Sequence, residues 1–350
     1  MRKLITPLTA CLVMLPALSA EAQVYPERIR SVTRMAGQPT VERYQRDSQR
    51  ASDTERITRT VRLGGGGDVQ ISNIAGDITI TRGGGNDVVV EAIKTSRAGT
   101  AEEAKAALTL VEVEITERGG RVDIRARYPR NNEERRTNRN LNVSVAFNIT
   151  APERARINLN TISGDVSVSD IKGDLSLETI SGAIRVGNAG RVSKAKTVSG
   201  LVEISDTTVE GMMDVSTISG TMLLRNVRAA QADLGSISGD ITIERLQCDR
   251  VDAQSISGTL VLNGPLVPGG RYDLGSHSGQ VHVNVSGEIG FEVEASSFSG
   301  SVRSDLPLKL SGVSQATNRG RQRSLRGTYG DGSAFLDLTT FSGSVIITKK

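Results

Sequence analysis

Thr161-Ile162-Ser163-Gly164-Asp165-Val166-Ser167-Val168 decides how this chain is read, because the phrase returns with small changes down to the last residues. Its core recurs as Thr179-Ile180-Ser181-Gly182, Thr197-Val198-Ser199-Gly200, Thr217-Ile218-Ser219-Gly220, Ser236-Ile237-Ser238-Gly239 and Ser255-Ile256-Ser257-Gly258. Three further copies vary the second residue: Ser276-His277-Ser278-Gly279, Ser297-Phe298-Ser299-Gly300 and Thr340-Phe341-Ser342-Gly343. Successive glycines stand 18, 18, 20, 19, 19, 21, 21 and then 43 residues apart. A period near 20 residues marks a solenoid, in which each repeat buries its apolar face against its neighbours.

The phase of each copy can be read from its glycine. Apolar residues fall two before it, two after it and four after it, as in Ile162, Val166 and Val168 or in Ile237, Ile241 and Ile243. Period-two alternation predicts that all three point inward. On that phase Ile237→Asp should collapse the array and Ser236→Ala should be mild. Half-period copies at Ile171–Leu177 and Val209–Val215 predict two main strands per coil. Ten or so coils stacked about 4.8 Å apart would make a rod on the order of 50 Å long.

Composition agrees with an all-β chain. Hydrophobic residues make up 37% and aromatics 3%, Trp is absent, and 37 glycines suit many short strands and tight turns. The net charge of +4 is a small difference between 43 basic and 39 acidic residues, so no polycationic surface for nucleic acid is implied. Basic clusters at Arg130, Arg135, Arg136 and Arg139, and at Arg319, Arg321, Arg323 and Arg326, lie in polar stretches without strand periodicity. They read as solvated loops, with an anionic-ligand patch as the alternative.

Met1-Arg2-Lys3, the apolar run Leu4 to Ala20 and Ala20-Glu21-Ala22 form a basic region, an apolar region and an A-x-A cleavage site. This pattern predicts a signal peptide over residues 1–22 and an exported mature chain: periplasmic, outer-membrane-associated or extracellular. Leu8-Thr9-Ala10-Cys11 spells a lipoprotein-type box, but the apolar run continues past the cysteine through Leu12-Val13-Met14-Leu15. Without Cys11, Cys248 is the one remaining cysteine and no intramolecular disulfide can form. In Leu246-Gln247-Cys248 it reads as a small buried hydrophobe. No later segment reaches the roughly 20 apolar residues of a spanning helix.

Residues 23–60 lack periodicity and read as a flexible leader. Residues 61–150 read as a β-rich lead-in containing an early repeat copy, Ile74-Ala75-Gly76-Asp77-Ile78, and one short helix over Ala101 to Leu108, capped by Thr100. Strands are expected at Val111 to Thr116, Arg121 to Arg127 and Val143 to Phe147. Residues 151–350 are the repeat array, with an insertion near 305–333, after which Phe335 to Ile347 supplies the final coil.

An exported chain with serial "sGdI-I" phrases, an early copy at Ile74–Ile78, an acid-alanine helix and a closing Ser-Gly strand resembles the DUF4097 family of bacterial adhesin-like proteins of unknown function. The likeness covers roughly residues 60 to 350. It implies a β-helical solenoid and an envelope or surface location, and it brings no catalytic residues.

The search for chemistry yields little. Nine serines precede a repeat glycine, from Ser163 to Ser342, and none stands out as a nucleophile. With the Thr or Ser two positions earlier they read as a hydroxyl ladder bonding to neighbours and water. An ice-binding face would need outward hydroxyls at fixed spacing, and the drift in coil length argues against one. His277 falls on the inward phase and His282 on the outward phase, so they should not share a ligand or serve one triad. Gly83-Gly84-Gly85-Asn86-Asp87 and Gly64-Gly65-Gly66-Gly67-Asp68 resemble single calcium-binding nonapeptides but read as hairpin turns, and neither continues as a phosphate loop. Asp165, Asp174 and Asp240 follow a glycine, where a β-helical polysaccharide lyase or hydrolase could be built on them, but other copies put Ala183, Leu201 or Thr259 there. The expectation is therefore a non-catalytic envelope or surface scaffold that needs no cofactor or metal. Its ligand would be an unidentified polysaccharide or protein, with an envelope-stress sensor or a carbohydrate-active enzyme as alternatives.

Overall fold

A computed structural model describes residues 51–64, 66–129, 142–310 and 323–350, all within one compact unit, Gln49–Lys350. The lead-in begins with β1 (Ala51–Arg62), β2 (Asp68–Ser72), β3 (Ile78–Arg82) and β4 (Asp87–Ala98). It continues through α1 (Ala101–Thr109), β5 (Glu112–Arg118), β6 (Arg121–Arg127) and β7 (Val143–Ala151). Ala51–Thr60, expected to be flexible leader, instead belongs to β1, which pairs antiparallel with β4 along its whole length. Its alternation was hidden because most of its side chains are polar on both faces.

The helix forms as its sequence dictates. The Thr100 hydroxyl accepts the Glu103 N–H at 3.2 Å, Glu102 and Glu103 sit in the positive first turn, and Ala104, Ala107 and Leu108 are buried against β1 and β4. Its C-terminal end meets a cation. Lys94 on β4 is buried, donates through Nζ to the carbonyls of Leu108 (3.1 Å) and Val111 (3.2 Å), and pairs with Glu55 at 2.6 Å.

The array then alternates between two sheets. One sheet takes β8 (Arg156–Ser163), β10 (Asp174–Ser181), β12 (Arg191–Ser199), β14 (Thr208–Ser219), β16 (Arg228–Ser238), β18 (Gln247–Ser257) and β20 (Arg271–Ser276). The other takes β9 (Val166–Ser169), β11 (Ile184–Gly187), β13 (Val202–Ser205), β15 (Met222–Arg225), β17 (Ile241–Glu244), β19 (Leu260–Pro265) and β21 (Val281–Ser286). Neighbouring strands are parallel and in register, with Thr179 beside Thr161 and Ile184 beside Val166. Two strands per coil and a β-solenoid are what the repeat predicts.

The end of the array departs from chain order. After β22 (Phe291–Ser297) and β23 (Ser301–Ser304), the chain runs through β24 (Lys309–Leu310) and β25 (Ser324–Tyr329) before β26 (Ala334–Thr340) and β27 (Ser344–Lys349). The last two strands insert between earlier coils: β26 lies between β20 and β22, and β27 between β21 and β23. The coil expected to be final is thus next to last in space. The coil of β22 and β23 closes the stack, with β25 antiparallel along β22.

The two corners of the coil are built differently. At the first, the repeat glycines stack on one another. Gly182 and Gly200 have φ of +141° and +148°, and a Cβ on either would overlap the carbonyl of the glycine one coil earlier. At the second, Asp170, Asn188, Asp206, Asn226 and Arg245 hold left-handed backbone at φ of 51–60°. There the Asn188 amide donates to Asp170 at 2.6 Å and that of Asn226 to Asp206 at 2.7 Å.

Candidate functional site

The first corner overturns one of the three core positions expected in each coil. Val166, Val168, Ile241 and Ile243 are buried as predicted, but Ile162 is 46% exposed and Ile237 47%. The inward residue before the glycine is the one three positions earlier: Thr161, Thr179, Thr197, Thr217, Ser236 and Ser255 are all buried. Alternation cannot be carried through the glycine, because the chain turns from one sheet into the other there and the inward phase shifts by one residue. Ile237 therefore lies outside and Ser236 inside, so Ile237→Asp should not collapse the array, while Ser236→Ala, which removes a hydroxyl with no partner, stays mild.

The consequence is an apolar row on the outside of the first sheet. Ile74, Ile162, Ile180, Val198, Ile218, Ile237 and Ile256 follow one another coil by coil and are exposed. His277, Phe341 and Phe298 continue the row with stacked rings. His277 and Phe341 are 4.8 Å apart and 6° from parallel, and Phe341 and Phe298 are 4.7 Å apart and 9° from parallel. Those separations equal the strand spacing, so the stack is the apolar row continued in aromatic form. His277 thus sits outside, against the sequence expectation, while His282 is on the other sheet and bonds Gln280 at 2.7 Å.

A groove of about 1000 Å³ runs along this row from Ser72 and Asn73 to His277. Six coils contribute three successive positions each, such as Asn160, Thr161 and Ile162 or Gln254, Ser255 and Ile256. Contiguous exposed apolar surface beyond a few hundred Å² on a soluble protein marks an interaction site. Hydroxyls of the buried row hold the corner in part: Thr197 donates to the Gly182 carbonyl (3.3 Å), Ser276 to Gly258 (3.1 Å) and Thr340 to Gly279 (3.1 Å). Thr161, Thr179, Thr217, Ser236 and Ser255 make no such bond, so the hydroxyl ladder is incomplete.

A second row on the same face escaped the sequence reading. Asp214, Asp233, Asp252, Asp273 and Asp337 stand side by side, followed by Glu294. The signal was present: an aspartate lies six residues before the repeat glycine in Asp214, Asp233, Asp252, Asp273 and Asp337. The Asp337 carboxyl is pushed up from the ordinary carboxylate range by burial, then by Asp273 and Glu294, with Arg271 opposing.

The acids that the sequence did single out are corner braces. Asp165 accepts the Ala183 N–H and an Arg185 N–H, each at 2.9 Å, which holds its carboxyl below the usual range. Asp240 accepts the Thr259 N–H at 2.8 Å, and Asp174 pairs with Arg191 at 3.6 Å. Ser163 and its equivalents are exposed at the corner. Cys248 is buried, its thiol pushed up to about 11 chiefly by burial, as an inert core residue would be.

The glycine runs are not hairpin turns. Gly83–Asn86 joins β3 to β4 across the intervening β7, and the run at 64–67 joins β1 to β2 in different sheets. Asp87 and Asp68 beside them pair with Arg62 (3.9 Å) and Arg156 (2.5 Å). Arg130, Arg135, Arg136, Arg139, Arg319 and Arg321 lie outside the described residues, whereas Arg326, expected in a loop, belongs to β25 and stands opposite Glu294. No described helix is long and apolar enough to cross a membrane.

Fold and face together define a parallel β-solenoid with one surface row left apolar. The chain belongs to the Toastrack DUF4097 family, which matches residues 66–348. It is similar to solved structures of a candidate adhesin from Bacteroides fragilis (14% identity, 85% of this chain and 97% of that one, TM-score 0.36) and of a candidate cell adhesion protein from Clostridium sporogenes (12%, 85% and 100%, 0.20). It is also similar to that of a candidate lipid binding protein from Parabacteroides distasonis (12%, 84% and 96%, 0.36). No functionally curated protein matches the chain.

Proposed function

We propose that this chain is an exported, non-catalytic binding scaffold of the cell envelope or surface, and that the outward apolar row is its binding face. One observation carries the reading. A rod whose core is fully supplied by other rows still keeps an exposed Ile or Val at one position from Ile162 through Ile256. Folding does not need those side chains there, and solubility is better served by polar ones. Export rests on the basic and apolar pattern of residues 1–22.

Cell fractionation with retention of added protein on isolated envelopes tests it. The processed chain is expected in the envelope or the medium, and Ile218→Ser/Ile237→Ser/Ile256→Ser should lose retention while keeping its circular dichroism. Recovery of the unprocessed chain in the cytosol, or undiminished retention of the triple variant, would overturn the reading.

The carboxylate row supports a second reading, a carbohydrate-active enzyme. Asp337, whose carboxyl is pushed up by burial and by the neighbouring Asp273 and Glu294, sets several carboxyl groups side by side, and glycoside hydrolysis uses a pair of carboxyl groups. Depolymerisation of an envelope polysaccharide, abolished by Asp337→Asn, would favour it over the scaffold.

A further inference from the structure

We propose that the C-terminal half of this face docks a basic amphipathic α-helix of about 16 residues from a partner polypeptide. The inference deepens the binding-scaffold reading and rests on it. Two parallel rows define the surface. The apolar row here is Ile218, Ile237, Ile256, His277, Phe341 and Phe298. The acidic row is Asp214, Asp233, Asp252, Asp273, Asp337 and Glu294.

The fold neutralises the acidic row only in part, with Arg326 opposite Glu294 at its end. Its members are one strand spacing apart, about 4.8 Å, and like charges directly opposite each other across strands are destabilising. Asp214 pairs with Lys196 at 2.7 Å, and Arg271 offsets part of the charge at Asp337. Among the described residues Asp233 and Asp252 receive only amide donors, Gln231 at 3.0 Å and Gln254 at 3.3 Å. A row of like charges whose middle, at Asp233 and Asp252, is met by amides alone calls for cations from outside.

Dimensions select the form those cations take. The two rows are four residues apart along each strand, roughly 13 Å, close to the 10–12 Å width of an α-helix with its side chains. Between them stand Ser216, Gly235, Gln254, Gly275, Thr339 and Ser296, mostly small, so the strip is low enough for a helix to lie in it. Six coils cover about 24 Å, the length of about 16 helical residues. Such a helix would set apolar side chains on the Ile and Phe row and Lys or Arg on the carboxylates.

The N-terminal half of the same sheet lacks this pattern. Its equivalents of the acidic row are Asn158, Ser176 and Lys194, and its middle strip carries Asn160, Glu178 and Lys196. An anionic lipid surface would meet the carboxylates with the wrong sign.

Fluorescence anisotropy of a labelled synthetic helix of about 18 residues, built only from Leu and Lys at helical spacing, tests the proposal on the full chain. Saturable binding is expected, weakened by added salt. Asp233→Asn/Asp252→Asn/Asp273→Asn should weaken it about tenfold or more, and Ile218→Ser/Ile237→Ser/Ile256→Ser should do likewise. A Leu and Glu helix of the same pattern should not bind. Equal binding of the Glu helix, or unchanged affinity in a folded Asn variant, would overturn the proposal. So would phosphatidylglycerol vesicles or a second copy, detected by flotation or light scattering, binding through Ile237 in the peptide's place. Failure of the peptide arm with envelope retention still lost in the Ser variant would sink only the ligand class, whereas retention that ignores the Ser variant would sink the scaffold reading itself.

Discussion

The two corners of each coil make the same reversal of direction by opposite means. At the glycine corner, backbone packs so tightly on backbone that a side chain is excluded, as the overlap of a Cβ at Gly200 with the Gly182 carbonyl shows. At the opposite corner, side chains are required, because Asn188 and Asn226 bond to the aspartates one coil earlier. The difference shapes the surface. The crowded corner shifts the inward phase, burying Thr161 and turning Ile162 out, so the outward apolar row is a by-product of how the chain turns there.

The sharpest way to break this account is to place one charge on each side of the glycine. Ile241→Asp puts a carboxylate into the core and is expected to abolish the cooperative thermal transition, whereas Ile237→Asp should cost less than about 1 kcal/mol. Circular dichroism melts of the two variants decide it. Equal loss would restore an uninterrupted alternation through Gly239.

Gly200→Ala probes the crowding itself. Overlap with the Gly182 carbonyl and a φ of +148° together predict a loss of about 3 kcal/mol. Gly84→Ala, in a turn where an added Cβ meets nothing within 4 Å, should lie within about 0.5 kcal/mol of the unchanged chain. Denaturant titration of both would reveal whether close stacking or mere glycine content matters.

A smaller pair of effects should differ in sign with pH. Asp165, braced at the glycine corner, has a depressed folded value, so its contribution is present above its unfolded value and lost as pH falls through the folded one. Asp337, on the open face, has a raised folded value. Its contribution is complete below the unfolded value and is lost as pH rises through the folded one. Asp165→Asn should therefore lower, and Asp337→Asn raise, the neutral-pH melting point, each by an equivalent below about 1 kcal/mol because both carboxylates keep solvent access. Both differences should close on acidification, and a melt series across pH would expose a wrong sign.

These contrasts also explain what the sequence allowed to be read. Coil spacing, two strands per coil and the Ala101–Thr109 helix follow from local signals: glycine periodicity, half-period copies and a capped acid-alanine run. Val166 and Ile241 were legible as core because alternation holds within a strand. Ile162 and His277 were misplaced because alternation does not survive a corner. The acidic row needed two further facts, the coil register and the insertion of β26 between β20 and β22, which sets Asp337 beside Asp273 and puts Glu294 at the end. That insertion is a long-range pairing with no local mark in the chain.

The opposite corner offers the gentlest test, and it should improve the protein. Arg245 holds φ of 53° where its counterparts are Asp170, Asn188, Asp206 and Asn226. A left-handed conformation costs most L-residues roughly 1–2 kcal/mol, and Asn much less because its short amide bonds locally. Arg245 is exposed, so little packing is lost on its replacement. Arg245→Asn is therefore expected to raise stability by up to about 1 kcal/mol. The same change at Arg225, in regular strand and paired with Glu203 (3.1 Å) and Glu244 (3.3 Å), should give no gain. If Arg225→Asn stabilises as much as Arg245→Asn, the benefit comes from removing a surface arginine and the corner's left-handed geometry plays no part in it.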